Sequence, residues 1–403
     1  MHPPGNLSVE EMPQFVMLTF DDAVNDQNMD FYRELLSPGR RKNRANGCNM
    51  AATFFVSAGF TDYSFVHELH SVGSEIALHS ITHRNNRTYW RTLAVEGWED
   101  EFVGLRGFLR DHALIPEEDM VGARAPFIEI GGGESHVMMQ KNGILYDSSG
   151  PSKLPLYPYT LDYGLQTECE IKACPGGVYK GLWTVPLNRF YRTAPYDDGS
   201  HVHSTCPLAD GCCPKPITAD DMFGYLRTNF EYYYHKNRAP FPLFIHENWL
   251  WVPERRQGLL SFIDWLLTKD DVFLVTVAEV VHFMRNPKPL GEYSQSKCSK
   301  ASEFARCPRI HTCAYPGALI KENRWLIGCK PCPKIHPWLR SRAQGETVDI
   351  AVDEIVVDTT VGGKWYRRTD YVLMLGFVAI FCLYFCLGRF TVWCWNWRRE
   401  KIS

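Results

Sequence analysis

The chain begins with a repeating alternation of short apolar runs and longer segments of helical period. Each apolar run ends directly on polar, chemically capable side chains. Residues 15–20 lead into Asp21 and Asp22, residues 75–78 into His79 and His83, and residues 120–123 into Arg124. Residues 144–146 lead into Asp147, and residues 243–245 into His246. Runs of this kind suit buried parallel strands, and in a β/α barrel the groups at strand carboxyl ends converge on one face. Helical spacing fills the intervals at 28–36, 65–72, 93–111, 219–236 and 258–267.

Strand alternating with helix predicts an α/β fold, a distorted β/α barrel over residues 14–290 after a short lead at 1–13. The run at 274–277 and the helix at 279–284 close it, and Asn286-Pro287-Lys288-Pro289 then breaks the pattern. Residues 151–221, rich in Pro, Gly, Tyr and Cys, are too long for an ordinary connection and read as a disulfide-pinned insertion beside the site. Residues 291–370 form a cysteine-containing segment and stalk. An uncharged, mostly apolar stretch at 371–388 lies within an expected transmembrane helix at 371–394, with Trp393, Trp395 and Trp397 at its edge and a basic tail at 395–403. The alternative for that stretch is a buried hairpin helix.

Composition narrows the class. With 403 residues, 45% hydrophobic and 22% charged, the chain has apolar material for one large core. A formal net charge of -3 gives no electrostatic reason to expect a nucleic-acid partner, whose binders usually carry a concentrated basic surface. Fourteen cysteines, several closely spaced (Cys169 with Cys174, Cys206 with Cys212 and Cys213, Cys329 with Cys332), read as disulfide partners of a secreted or surface-exposed protein. The competing reading is free thiols with a zinc knuckle on Cys329 and Cys332. Asn6 and Asn86 head Asn-x-Ser/Thr acceptors for glycosylation, which agrees with a secretory location. The first residues lack the basic and apolar regions of a signal peptide, so a start missing from this sequence is expected.

Two carboxylates and two histidines carry the first chemistry. Asp21 and Asp22 can divide two jobs, one binding a metal and the other taking a proton, provided that the strand ends at Phe20, because successive strand residues point to opposite sides. His79 and His83, four residues apart, would face the same way on one helical turn and grip one cation. With Asp22 they make an open two-His, one-Asp set that leaves room for water and substrate.

Thr19-Phe20-Asp21-Asp22, His79-Ser80-Ile81-Thr82-His83, Arg124-Ala125-Pro126-Phe127, Asp147-Ser148-Ser149 and Phe244-Ile245-His246 together resemble the five ordered motifs of carbohydrate esterase family 4, the NodB-like polysaccharide deacetylases. Within that family the likeness is to animal chitin deacetylases and covers about residues 14–286. The resemblance implies a distorted β/α barrel and a divalent metal, usually Zn2+, held by Asp22, His79 and His83. It implies Asp21 as general base, Arg124 as its electrostatic restraint, and Pro126 and Phe127 at the substrate, with the Phe127 amide on the oxyanion. It further implies His246 as general acid with Asp147 tuning its pKa. The implied substrate is chitin or N-acetylglucosamine oligomers, and the implied products are chitosan and acetate. The sequence departs from the pattern at Tyr157-Pro158-Tyr159, where animal relatives tend to carry Trp, and at Phe244, where Leu is usual. A rival class is a non-catalytic chitin-binding or matrix-organising protein on the same fold. A peptidase is disfavoured because no His-Glu-x-x-His helix is present.

Overall fold

The computed structural model describes residues 2–192, 205–212, 218–315, 324–339 and 353–359. Its centre is the strand Gln14–Asp22, buried from Gln14 to Asp21 because neighbours hydrogen-bond along both of its edges. In spatial order the main sheet runs Phe241–His246, Gln14–Asp22, Thr53–Val56, Glu75–Leu78, Gly122–Ala123, Tyr146–Asp147, Tyr179–Thr184 and Tyr159–Leu161. Val272–Val275 also pairs with the start of the central strand. Every pairing is parallel except that of Tyr159–Leu161. Parallel strands buried on both faces read as continuous apolar runs, and for that reason the runs were visible in the sequence. The path does not close among the described strands, so the architecture is a mixed α/β half-barrel sheet.

Register aligns the strand ends. Asp21 pairs with His246 across one edge of the central strand, Leu78 with Ala123, and Ala123 with Asp147. The helices Met29–Leu35, Tyr63–Ser71, Val95–His112, Ala219–Lys236 and Pro253–Leu266 fall where helical spacing placed them. Thr218 caps Ala219–Lys236 in a capping box with Asp221, satisfying two orphan amides reciprocally. Phe230 from that helix packs edge-on against Phe241 of the strand and Phe262 of the next helix, filling one flank of the core.

Three expectations change. The segment after residue 151 is more than an insertion beside the barrel, since Tyr179–Thr184 extends the main sheet by pairing with Tyr146–Asp147. Packing does not break after residue 290: Met1–Asp358 is one compact unit. The physical reason is covalent and steric, because Cys298 is bonded to Cys48 and Gly328 packs against the backbone of His112. Cys329 and Cys332 are not partners of each other and form no zinc knuckle. Cys329 bonds Cys307 and Cys332 bonds Cys313, stapling the small antiparallel sheet of Arg309–Tyr315, Arg324–Gly328 and Asp353–Asp358. Cys169–Cys174 and Cys206–Cys212 pair as the spacing suggested, while Cys213 lies outside the described residues. The expected transmembrane helix at 371–394 and the basic tail also lie outside them, and among the described residues no helix is long and apolar enough to cross a membrane.

Close approach of two strands depends on one glycine. A Cβ on Gly122 would sit 2.0 Å from the ring of Tyr146, whose hydroxyl donates to the buried Glu75 at 2.7 Å. The Tyr146 ring cannot move aside without weakening this bond to Glu75. Gly122→Ala is therefore expected to destabilise the fold by about 1–3 kcal/mol, the usual range for overpacking. Denaturant unfolding with unchanged slope checks this, and a variant as stable as the parent would contradict it.

Candidate metal centre and acid-base site

The central strand carries its pairing through Asp22, two residues further than the expected end at Phe20. Asp21 and Asp22 are nevertheless aimed differently, because Asp22 takes a left-handed φ of 82° that breaks the strand's alternation. Asp21 turns inward to Arg124. Asp22 meets the histidines, its Oδ1 lying 3.2 Å from His83 Nε2 and 3.6 Å from His79 Nε2.

The two histidines do not share a helical turn. His79 follows the strand Glu75–Leu78, and the chain then loops with positive φ at Ser80 and His83, bringing the ring centroids to 4.9 Å. Glu101, fully buried on the helix Val95–His112, moulds this loop. It accepts the amides of Ile81 and Thr82 at 3.0 and 2.9 Å, the Thr82 hydroxyl at 2.6 Å and the Tyr89 hydroxyl at 2.8 Å. Sequence reading missed Glu101, since one Glu among helical polar positions carries no motif signal.

These residues fit a cation. Asp22 Oδ1 is buried without a hydrogen-bond partner, a costly condition unless a ligand completes it. Burial pushes His79 down to about 4, so its imidazole is neutral near pH 7. Its Nδ1–H donates to the Arg124 carbonyl at 2.7 Å, which leaves the Nε2 lone pair facing Asp22. Two donors around a small tetrahedral ion lie about 3.4 Å apart, and the observed 3.2 and 3.6 Å bracket that value. Among the described residues, Asp22, His79 and His83 are the one group of His, Cys, Asp or Glu drawn together in this way.

Arg124 is completely buried, and each of its three guanidinium nitrogens has a partner. It donates to Asp21 Oδ1 at 2.5 Å, Thr19 Oγ1 at 2.9 Å, the Ser148 carbonyl at 2.8 Å and Ser148 Oγ at 3.0 Å. The guanidinium lies between the rings of Phe55 and Phe244, 3.9 and 4.5 Å from their centroids. Burial alone would raise the Asp21 carboxyl, but Arg124, with His79 and His246, holds it below its usual range.

His246 stands across the strand edge from Asp21, with Nε2 4.0 Å from Asp22 Oδ2. Its carboxylate partner is Asp210, which corrects the expectation for Asp147. Asp210 Oδ2 accepts from the His246 amide at 2.8 Å and pairs with its Nδ1 at 2.7 Å. Burial opposes charge on His246, but the bond to Asp210 and the charges of Asp21, Asp210 and Asp22 outweigh it and raise the imidazole to about 9. Asp210 comes from the short helix Ala209–Cys212, closed by the Cys206–Cys212 bond in the cysteine-rich segment. Periodicity gave no sign of it. Asp147 instead lies behind Arg124, accepting from Ser149 Oγ at 2.5 Å.

Pro126 is buried, and Phe127 and Ile128 both take positive φ, 55° and 54°. Phe127 thereby comes to lie over His83, ring centroids 5.0 Å apart. Glu129, buried beside it, accepts from Arg91 at 2.7 Å and ties this turn to the helix Arg87–Thr92. Asn86 and Asn6 are both exposed, and Asn86 Oδ1 caps Arg87–Thr92 through the Tyr89 amide, leaving its Nδ2 as the atom open to a glycan.

No protein-family model matches the chain. Chitin deacetylase 1 of Bombyx mori is 34% identical over 353 residues, 83% of this chain and 64% of the relative. The chain thus spans under two thirds of that relative's length. Chitin deacetylase 8 of Bombyx mori is 33% identical over 343 residues, 83% of this chain and 87% of the relative. A solved structure described as a putative polysaccharide deacetylase from Mycobacterium smegmatis aligns with TM-score 0.42 and 19% identity, over 74% of this chain and 98% of its own. The likeness to the two Bombyx mori relatives puts the chain in the class of polysaccharide deacetylases. Within that class, the extent of its likeness to Bombyx mori chitin deacetylase 8 shows that the chain belongs to the chitin deacetylase family.

Two outcomes follow from the geometry. Metal analysis of a His79→Ala, His83→Ala double variant should show loss of the stoichiometric metal expected in the parent, and retention would remove the assignment. In metal-free protein, the His246 pKa is raised above its ordinary 6.5 to about 9, so folding stabilisation from this group is complete below 6.5 and fades as pH rises through about 9. Asp210→Asn should lower the His246 midpoint and flatten stability over that window, as read by imidazole NMR titration and urea unfolding.

Proposed function

We propose that the chain is a metal-dependent chitin deacetylase, acting on the N-acetamido group of N-acetylglucosamine residues to give chitosan and acetate. The observation that carries this reading is the opposed pair around Asp22, His79 and His83. On one side stands a carboxylate kept charged by Arg124, and on the other an imidazole kept protonated by Asp210. A base and an acid placed about one small centre are what hydrolysis of an unactivated amide requires.

Asp22, His79 and His83 would hold the ion, with zinc suited to their donor set. Bound there, it supplies a water of lowered pKa and polarises the acetamide carbonyl. Asp21 takes a proton from the attacking water, whose oxygen adds to the carbonyl carbon. Arg124 fixes the Asp21 oxygen that faces it, so the other is left for this transfer. The Phe127 amide stabilises the developing oxyanion. His246 gives its proton to the departing nitrogen as the C–N bond breaks, and Asp210 steadies the imidazole through that exchange. Free amine and acetate leave.

The barrel is placed on the secretory side, extracellular or lumenal, tethered by the expected helix at 371–394. Five disulfides among the described residues support that compartment. Glycosylation of exposed Asn86 in a chain expressed with a native start is the corresponding test, and an unmodified Asn86 in a chain whose cysteines are reduced would oppose it.

Acetate release tests the chemistry, with chitin oligomers compared against peptidoglycan and acetylxylan under added zinc. Chitin oligomers should be preferred. Asp21→Asn should keep its metal while turnover falls by about two to four orders of magnitude, whereas Asp22→Asn should lose the metal itself. Equal metal loss in both, or unchanged turnover in Asp21→Asn, would sink the division of labour.

A further inference from the structure

Asp147 is buried, its relative exposure 2%, and makes no ion pair among the described residues. A buried carboxyl without a cation is costly, and packing alone does not account for its retention. Its hydrogen bonding does. Ser149 has one hydroxyl proton, and it is given to Asp147 Oδ1 at 2.5 Å. The Ser149 lone pairs are then turned toward Ala125, whose amide N–H donates to Oγ at 2.8 Å. Register adds to this fit, for Ala123 pairs with Asp147 and the Ser148 amide donates to the Ala123 carbonyl at 2.9 Å. Two residues beyond Ala125 the chain enters the left-handed conformations of Phe127 and Ile128. Such conformations are strained and persist only where the surroundings over-determine them. His136, which also lines the small cavity beside Asp147, has its Nδ1 engaged with the Gly132 carbonyl at 3.0 Å.

We propose that Asp147 is a positioning residue for the turn at 125–128. It orients the Ser149 hydroxyl, which holds the Ala125 amide and so sets where the Phe127 backbone N–H stands relative to His83. The fourth motif thereby acts on the third, while the carboxylate function at His246 has passed to Asp210. This assignment rests on the deacetylase reading for its kinetic consequence and on hydrogen bonding alone for its structural one.

The test is a double-mutant cycle on the metal-loaded full chain. Ser149→Ala and Asp147→Leu should each lower kcat by about 10- to 100-fold, the scale of a small misplacement, with KM nearly unchanged and metal retained. Asp147→Asn keeps an acceptor oxygen for Ser149 and should recover most of the loss, which also guards against a Leu variant that fails to fold. The Asp147→Asn, Ser149→Ala pair should be no worse than Ser149→Ala alone. Asp210→Asn should instead multiply with Ser149→Ala, since separate devices add in free energy. Amide exchange at Ala125 should quicken in Ser149→Ala whether or not the protein turns over any substrate. A parent that releases no acetate would therefore remove the deacetylase reading and leave the positioning role to be decided by exchange. Unchanged Ala125 exchange in Ser149→Ala, or an Asp147 variant non-additive with Asp210→Asn, would overturn the proposal.

Discussion

The buried contact between Arg124 and Asp21 is the constraint on which the rest of the site depends. Two charges taken out of water are costly unless geometry is close and every remaining donor is satisfied. Here the pair is close and each guanidinium nitrogen has a partner. The 2.5 Å pair is completed by Thr19 and Ser148, and Phe55 and Phe244 close over the guanidinium faces. These partners come from three neighbouring strands of the sheet and from the segment after Asp147, so one guanidinium fixes the mutual placement of several strand ends. Phe244, a departure from the family pattern, serves as one of the two covers.

With Asp21 committed to Arg124, Asp22 is left to the histidines, and the left-handed turn at Asp22 is what separates adjacent, chemically identical groups. The second consequence is electrostatic. Asp21 is held charged by a cation on one side, and His246 is held charged by Asp210 on the other. Acid and base also support each other's charge across one strand edge, since His246 helps to lower Asp21 and Asp21 helps to raise His246. The cysteine-rich segment supplies Asp210, and the staple at Cys206–Cys212 closes the turn that presents it.

The sequence by itself determined the strand ends, the chemical types gathered there and the family. Buried parallel strands must be apolar throughout, so residues 15–20 and 243–245 announce themselves, and Asp21, Asp22, His79, Arg124 and His246 stand out at their ends. Motif order then tied the groups to one chemistry. Tertiary structure alone decided how those groups are aimed and supported. The loop that joins His79 to His83 is shaped by Glu101 from a helix, the partner of His246 comes from 36 residues upstream, and Cys329 and Cys332 each bond elsewhere. None of these is periodic or local. Hydrogen bonds between distant segments are chosen by where the packed core brings them, and a linear pattern of hydrophobicity carries no record of that choice.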